Sequence, residues 1–149
     1  MKRFIIIAGM AAGLIACKSN GNKVTDGPLT DSLKQAAIKD SANFTTIKWV
    51  DSTYKDVGEV KKGQTAEIPF VIENTGSKPL IISSVQPGCG CTVAEKPEKP
   101  ILPGKSEKIV AKFNSTGQTP GPHTKTVMVT ANTKPFTTHT LTFQVNVTK

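Results

Sequence analysis

A chain of 149 residues has room for one ordinary domain, and for less once an N-terminal segment is removed. Its 19 Lys and Arg residues against 11 Asp and Glu residues give a formal net charge of +8. Sites that read nucleic acid rely on the arginine fork and on aromatic stacking, but the only arginine is Arg3 and aromatic residues make up 5%. The composition therefore argues against nucleic-acid binding, while attraction to anionic envelope polymers or lipid headgroups stays compatible with the charge.

The N-terminus has the layout of a secretory signal. Lys2 and Arg3 form a basic start, residues 4–15 form an apolar run, and Ala16-Cys17 precedes the polar residues 18–20. A helix that spans a membrane needs roughly 20 apolar residues, and this run is much shorter. We therefore predict a cleaved signal peptide over residues 1–16.

The tetrapeptide Leu14-Ile15-Ala16-Cys17 resembles the lipobox of bacterial lipoproteins, in which the cysteine is diacylglycerated and becomes the mature N-terminus. The resemblance implies that Cys17 is lipidated and that several acyl chains hold the protein on a membrane of the cell envelope. The alternative is an ordinary signal peptide with an incidental cysteine. No acidic residue occurs between Cys17 and Asp26, which, by resemblance to other envelope lipoproteins, favours the periplasmic face of the outer membrane over surface display.

Residues 17–44 are predicted to form a lipidated, flexible tether, because they are rich in Ser, Asn, Gly, Asp and Lys. A short helix is predicted within it, from Thr30 to Asp40. Ser32 and Gln35 have the spacing of a capping box, and one face carries Leu33, Ala37 and Ile38. A helix of this length is not stable alone.

From Thr45 onward, apolar and polar residues alternate with a period of two, which predicts half-buried strands. The alternating runs are residues 66–73, 108–113, 126–131 and 141–147. The last two flank a turn over residues 132–135 and predict a C-terminal hairpin. Pro69 lies inside the first run, so this strand is predicted to lie at an edge or to be bulged there.

Turn signals divide residues 45–149 into about seven strands. They lie at Lys62-Gly63, Asn74-Thr75-Gly76, Pro87-Gly88, Pro103-Gly104 and residues 117–122. An all-β, immunoglobulin-like sandwich fits this pattern, with a small barrel as the alternative. Trp49 precedes both late cysteines, so the Cys…Trp…Cys order of antibody domains is absent.

Motifs of catalytic chemistry are missing from the sequence. There is no Gly-x-Ser-x-Gly, no His-Glu-x-x-His and no paired-cysteine zinc spacing. On the predicted hairpin, His139 pairs near Thr130 and His123 lies ~23 Å away along the strand, so the two histidines cannot share one site. We predict that the protein is not an enzyme, with no cofactor and no evident small-molecule substrate.

The run Cys89-Gly90-Cys91-Thr92 belongs to an ordered series that resembles the bacterial envelope family called domain of unknown function 1573. The series spans about residues 54–132 and consists of Val57-Gly58-Glu59-Val60, Lys62-Gly63, Phe70, Asn74-Thr75-Gly76, Pro79-Leu80, Val85, the cysteine run, Pro103-Gly104, Phe113, Val129 and Asn132. The resemblance implies an immunoglobulin-like sandwich, as in pilus chaperones and the major sperm protein, and it implies no established activity. Lys105 stands where the family pattern leads us to expect an acid.

Three serines are similar to the Asp-Ser/Thr-apolar acceptor that some envelope bacteria use for O-glycosylation. They are Ser32, Ser41 and Ser52, each preceded by an aspartate. The alternative is that these are ordinary turn and cap residues.

Cys89 and Cys91 are predicted to form a reversible disulfide in a loop at one end of the sandwich. Lipidation consumes Cys17, so these thiols have only each other as partners in an oxidising envelope, and Gly90 permits a tight ring. Strain would make such a bridge easy to reduce. Inert thiols, or two thiolates that bind a soft cation such as Cu(I), are the alternatives.

Two classes of function remain open. The first is a non-catalytic binding or structural module that docks an envelope protein or polymer through loops or an open sheet edge. The second is thiol redox chemistry or copper binding at Cys89 and Cys91.

Overall fold

The computed structural model describes residues 29–149. The predicted signal peptide and Cys17 lie outside these residues. The described elements are α1 (Asp31–Lys39), a 3₁₀ turn (Ser41–Asn43), β1 (Ile47–Trp49), β2 (Tyr54–Lys61), β3 (Thr65–Asn74), β4 (Ile82–Pro87), β5 (Thr92–Glu95), β6 (Ser106–Asn114), β7 (Gly121–Ala131) and β8 (Thr138–Thr148).

The strands form two four-stranded sheets that pack face to face. The first sheet has the order β1-β3-β6-β5 and the second has the order β2-β8-β7-β4. All neighbouring strands are antiparallel except β2 and β8, which are parallel. The predicted all-β, immunoglobulin-like sandwich and its C-terminal hairpin of β7 and β8 are confirmed.

Inward side chains of both sheets form one hydrophobic core, as the period of two requires. Phe113 of the first sheet and Phe143 of the second meet edge to face, with ring centroids 6.0 Å apart. Both rings are fully buried, and the neighbouring core residues include Phe70, Ile72, Ile109, Leu141 and Val145.

Pro69 lies in a regular part of β3, where it pairs with Val110 without a bulge. The Val71 carbonyl accepts a hydrogen bond from the Val50 N–H, so the backbone N–H and C=O of Val71 face away from β6. Pro69 lies two residues earlier in the same strand, so its backbone faces the same side as that of Val71. Pairing of β1 with β3 covers only Ile72–Asn74, so the N–H that proline lacks would face an open edge. The predicted edge position is thus confirmed locally, and the alternative of a bulge is wrong.

The predicted short helix forms as α1, but its capping box does not. Thr30 occupies the N-cap position and makes no side-chain hydrogen bond there, so the prediction from Ser32 and Gln35 is wrong. Leu33 is exposed, whereas Lys34 and Ala37 are buried where α1 contacts β4. No helix within residues 29–149 is long and apolar enough to cross a membrane.

Two buried asparagines join the loops at one end of the sandwich, which we call the asparagine end. The Asn74 amide donates to the carbonyls of Lys78 and Ile101, both at 2.8 Å. The Asn132 amide donates to the carbonyls of Asn43 and Pro79 at 2.7 and 3.0 Å. Side chains therefore replace the ladder hydrogen bonds that these irregular segments lack.

Candidate functional site

The loop between β4 and β5 carries Cys89 and Cys91 as it crosses from one sheet to the other. The two sulfur atoms are joined in a disulfide, with the Cα atoms 5.3 Å apart. The loop is fixed on both sides, because the Gly88 N–H donates to the Thr126 carbonyl and the Asn114 N–H donates to the Cys91 carbonyl, both at 2.9 Å. Both cysteines are half-buried, and Cys91 packs against the hydrophobic core.

Gly90 does not have the role that the sequence suggested. The described glycines with a positive φ are Gly58, Gly63, Gly104 and Gly121, and an added Cβ at Gly90 would meet nothing within 4 Å. The ring closes without the left-handed conformation that favours glycine, so nothing in the loop geometry requires glycine at this position.

The cysteine pair can be tested by alkylation and mass spectrometry. In protein purified without reductant, we expect neither Cys89 nor Cys91 to be labelled, and after mild reductant we expect both to be labelled. Removing the bridge with Cys89→Ser and Cys91→Ser should cost at most about 1.6 kcal/mol of unfolding free energy, since the loop it closes is so short. Two freely labelled cysteines in the unreduced protein would show the predicted bridge to be wrong.

The two histidines lie far apart on the β7–β8 hairpin, as predicted. His123 pairs with Val145 and His139 with Val129, a separation of about 20 Å along the ladder. Burial lowers the pKa of His139, which packs edge to face against Trp49 and lies 2.8 Å from the Thr133 hydroxyl. Residues 29–149 contain no group of three or more His, Cys, Asp or Glu side chains placed to hold a metal ion.

The three candidate glycosylation serines are all exposed. Ser32 lies in the first turn of α1, Ser41 begins the 3₁₀ turn, and Ser52 lies between β1 and β2, where its hydroxyl accepts from the Tyr54 N–H. Their modification remains a prediction.

The outer surface of β4, β7 and β8 in the second sheet is a broad face without a charged side chain, and we call it the threonine face. Its rows follow the strand pairing, with Met128 between Gln86 and Thr140, and Thr126 opposite Thr142. The face consists of Ser84 and Gln86 of β4, Thr124, Thr126, Met128 and Thr130 of β7, and Thr138, Thr140, Thr142 and Gln144 of β8. Charged residues make up 20% of the whole chain, so about two of ten positions would be charged at the average composition, and here none is.

Larger side chains stand at the centre and at the margin of the threonine face. Met128 is 49% exposed near the centre, and the Tyr54 hydroxyl donates to the Gln144 amide oxygen at 2.8 Å along the β2 margin. Charge appears only beyond this margin, beginning with Asp56 on β2. Met and Tyr are among the residue types enriched at protein interfaces, and charged residues are depleted at interface centres, so the composition of this face is compatible with an interface.

Sequence reasoning missed the threonine face, although one signal for it was present. The last acidic residue is Glu107, so the final 42 residues contain none. Alternation identifies the outward threonines of β7 and β8, but only the sheet order shows that they adjoin the serine and glutamine of β4.

Comparison with solved structures shows where this fold occurs elsewhere. A protein of unknown function from Porphyromonas gingivalis W83 superposes with a TM-score of 0.61 at 18% identity, over 72% of this chain and 49% of that one. The chain thus spans about half the length of that structure. The ASH/PapD-like domain 7 of human CEP192 gives 0.50 at 16% identity, over 72% and 87%. The secreted serine protease VesC from Vibrio cholerae gives 0.51 at 10% identity, over 76% and 25%.

At these identities the likeness shows the fold alone. No curated protein matches the sequence. The family described as "Protein of unknown function (DUF1573)" matches residues 47–147, which covers the sandwich from β1 almost to the end of β8. The chain therefore belongs to the DUF1573 family.

Proposed function

We propose that this protein is a non-catalytic binding module of the bacterial cell envelope that docks a protein or polymer partner on its threonine face. The observation that carries the proposal is the loss of charge across three neighbouring strands of a lysine-rich chain. A partner that covers this face need not strip water from any charged group, which is the largest desolvation cost in association. The β7–β8 ladder is regular, and β4 pairs with β7 without interruption from Ser84 to Pro87, so the backbone of the face is already ordered and little conformational entropy is lost on docking.

The proposal includes a lipid anchor at Cys17 and a place on the periplasmic face of the outer membrane. Its support is the lipobox-like Leu14-Ile15-Ala16-Cys17 after a basic and apolar start. We expect the intact mass of the membrane-bound protein to correspond to a chain that begins at an acylated Cys17. A soluble product that begins at another residue would contradict the anchor.

Docking on the threonine face can be tested with two matched substitutions. Met128→Glu places a charge at the centre of the face, and Val93→Glu places one on the outer face of the other sheet, where Val93 is 63% exposed. Both are surface changes that should alter stability by no more than about 0.5 kcal/mol. We expect Met128→Glu to weaken partner capture from envelope extracts at least tenfold, about 1.4 kcal/mol, because the carboxylate would be buried unpaired.

The outcomes separate the possible docking sites. The Val93→Glu variant should retain the partner. Loss of partner capture in Val93→Glu but not in Met128→Glu would place docking at the open edge of β5 and contradict the proposal. The double variant Cys89→Ser and Cys91→Ser should also retain the partner. Loss of capture in that variant would instead indicate a function of the thiols.

A further inference from the structure

Three loops are joined side by side at the asparagine end. They comprise residues 75–81, 101–105 and 132–137. Leu80 and Ile101 exchange backbone hydrogen bonds at 2.8 and 2.9 Å, and the Ile81 N–H donates to the Asn132 side-chain oxygen at 2.7 Å. The loops therefore form one continuous surface rather than three independent segments.

Each of these loops contributes one exposed lysine and no acid. The lysines are Lys78, Lys105 and Lys134, and none of them forms an ion pair with a residue of the described part of the chain. Glu73 and Glu107, at the adjoining ends of β3 and β6, lie outside these three loops, and neither forms an ion pair with a residue of the described part of the chain. The three loops themselves carry three cations and no anion.

Large apolar side chains stand among these lysines. Phe136, at the β7–β8 turn, is 70% exposed, and Leu102 is 41% exposed. The turn itself is held in place, because the Thr133 hydroxyl donates to the Phe136 carbonyl at 2.6 Å. An exposed aromatic ring with cations around it matches the surface of an anionic lipid bilayer, in which apolar acyl chains lie a few ångströms below the charged headgroups.

The N-terminal segment enters the sandwich at this same end. The Thr45 N–H donates to the Asn132 carbonyl and the Lys134 N–H donates to the Thr45 carbonyl, both at 3.0 Å. Leu29 precedes this point by one short helix, and Cys17 lies 12 residues before Leu29, which spans at most about 43 Å of extended chain. An anchor at Cys17 would thus keep the sandwich within reach of the membrane, and the chain enters the sandwich at the asparagine end.

We propose that the asparagine end docks on an anionic bilayer surface, with Phe136 at the headgroup level and Lys78, Lys105 and Lys134 on the lipid phosphates. The orientation relative to the anchor rests on the proposed lipidation of Cys17. Phe side chains on interfacial surfaces insert at the boundary between headgroups and acyl chains, and each lysine near an anionic surface increases binding about fivefold. Docking here leaves the threonine face, on the side of the sandwich, free for a partner.

The test uses the full chain reconstituted into vesicles of phosphatidylcholine, with or without phosphatidylglycerol. Phe136→Trp places a fluorescent reporter in the docking surface, Val93→Trp is the matched control near the opposite end, and the parent protein gives the background of Trp49. When phosphatidylglycerol is present, we expect the fluorescence emission of the Phe136→Trp variant to shift to shorter wavelength and to be quenched by lipids with brominated chains. We expect neither change in the Val93→Trp variant, nor in Phe136→Trp without phosphatidylglycerol. Adding Lys78→Gln, Lys105→Gln and Lys134→Gln should weaken docking of this surface about 100-fold and so abolish the wavelength shift and the quenching, whether or not acyl chains keep the protein on the vesicle.

Intact mass of the same vesicle-bound sample reports the anchor separately. Acylated Cys17 without quenching at position 136 would overturn the docking surface and leave the anchor intact. Unacylated protein that still binds phosphatidylglycerol vesicles through the three lysines would support the surface and overturn the anchor. Equal quenching at positions 93 and 136, or quenching at position 136 unchanged by the glutamine variant, would overturn the surface.

Discussion

Replacing Asn74 with alanine is expected to lower the free energy of unfolding by about 3–4 kcal/mol. Asn74 is fully buried, and its side chain makes four hydrogen bonds. It donates to the carbonyls of Lys78 and Ile101 and accepts from the Thr45 hydroxyl and the Gly76 N–H. Alanine would leave several of these groups without a partner, and each buried unsatisfied group costs about 1–3 kcal/mol.

Urea denaturation can measure this loss, with Asn114→Ala as the matched control. Asn114 is exposed and accepts one local hydrogen bond, from the Thr116 N–H, so its loss should cost no more than about 0.5 kcal/mol. Asn74→Asp should also destabilise strongly, because a carboxylate would face two carbonyl oxygens. A change below about 1 kcal/mol in Asn74→Ala would mean that Asn74 does not hold these loops together.

The longest strands could be located from the sequence because their inward residues alternate without interruption. Alternation over residues 66–73 and 141–147 corresponds to β3 and β8, which both pack on the shared core. In contrast, β1 and β5 have three and four residues, too few for a period of two to be distinguished from chance. Their existence depends on pairing with β3 and β6, which the sequence does not display.

The contacts of the buried asparagines and of α1 do not follow from the sequence. The sequence places Asn74 in a turn and Asn132 in the family pattern, but their hydrogen bonds join residues up to 89 positions apart. Similarly, the helical pattern of α1 was recognised, yet the burial of Lys34 and the exposure of Leu33 follow from contact with β4. Tertiary contacts decide which face of a short helix is buried, because its intrinsic stability is too small to decide.

The sequence predicts the pairing of Cys89 with Cys91, because Cys17 is expected to be lipidated and the two remaining cysteines are only two residues apart. The backbone angles of the loop depend instead on how Gly88 and Cys91 are held by β7 and β6, and Gly90 has no positive φ there. Glycine between two cysteines permits many conformations and therefore predicts none of them.

Truncation to alanine should lower the free energy of unfolding strongly at Phe143 and hardly at all at Phe136. Phe143 is fully buried and packs edge to face on Phe113 across the two sheets, so Phe143→Ala should lower the free energy of unfolding by about 4 kcal/mol through lost burial and a cavity. The free energy of unfolding of a native protein is roughly 5–15 kcal/mol in total, so Phe143→Ala would remove much of the stability.

Phe136→Ala is the matched control, because the same atoms are removed from a side chain that is 70% exposed. We expect its unfolding free energy to stay within about 0.5 kcal/mol of the parent value in the same urea titration. Equal losses in the two variants would contradict the assignment of Phe143 to the core and Phe136 to the surface. If the sandwich is unchanged in Phe136→Ala, any effect of this variant at the bilayer comes from the ring itself and not from a damaged fold. Under the proposed docking, Phe136→Ala should therefore weaken the contact of the asparagine end with phosphatidylglycerol vesicles while leaving the stability of the sandwich intact.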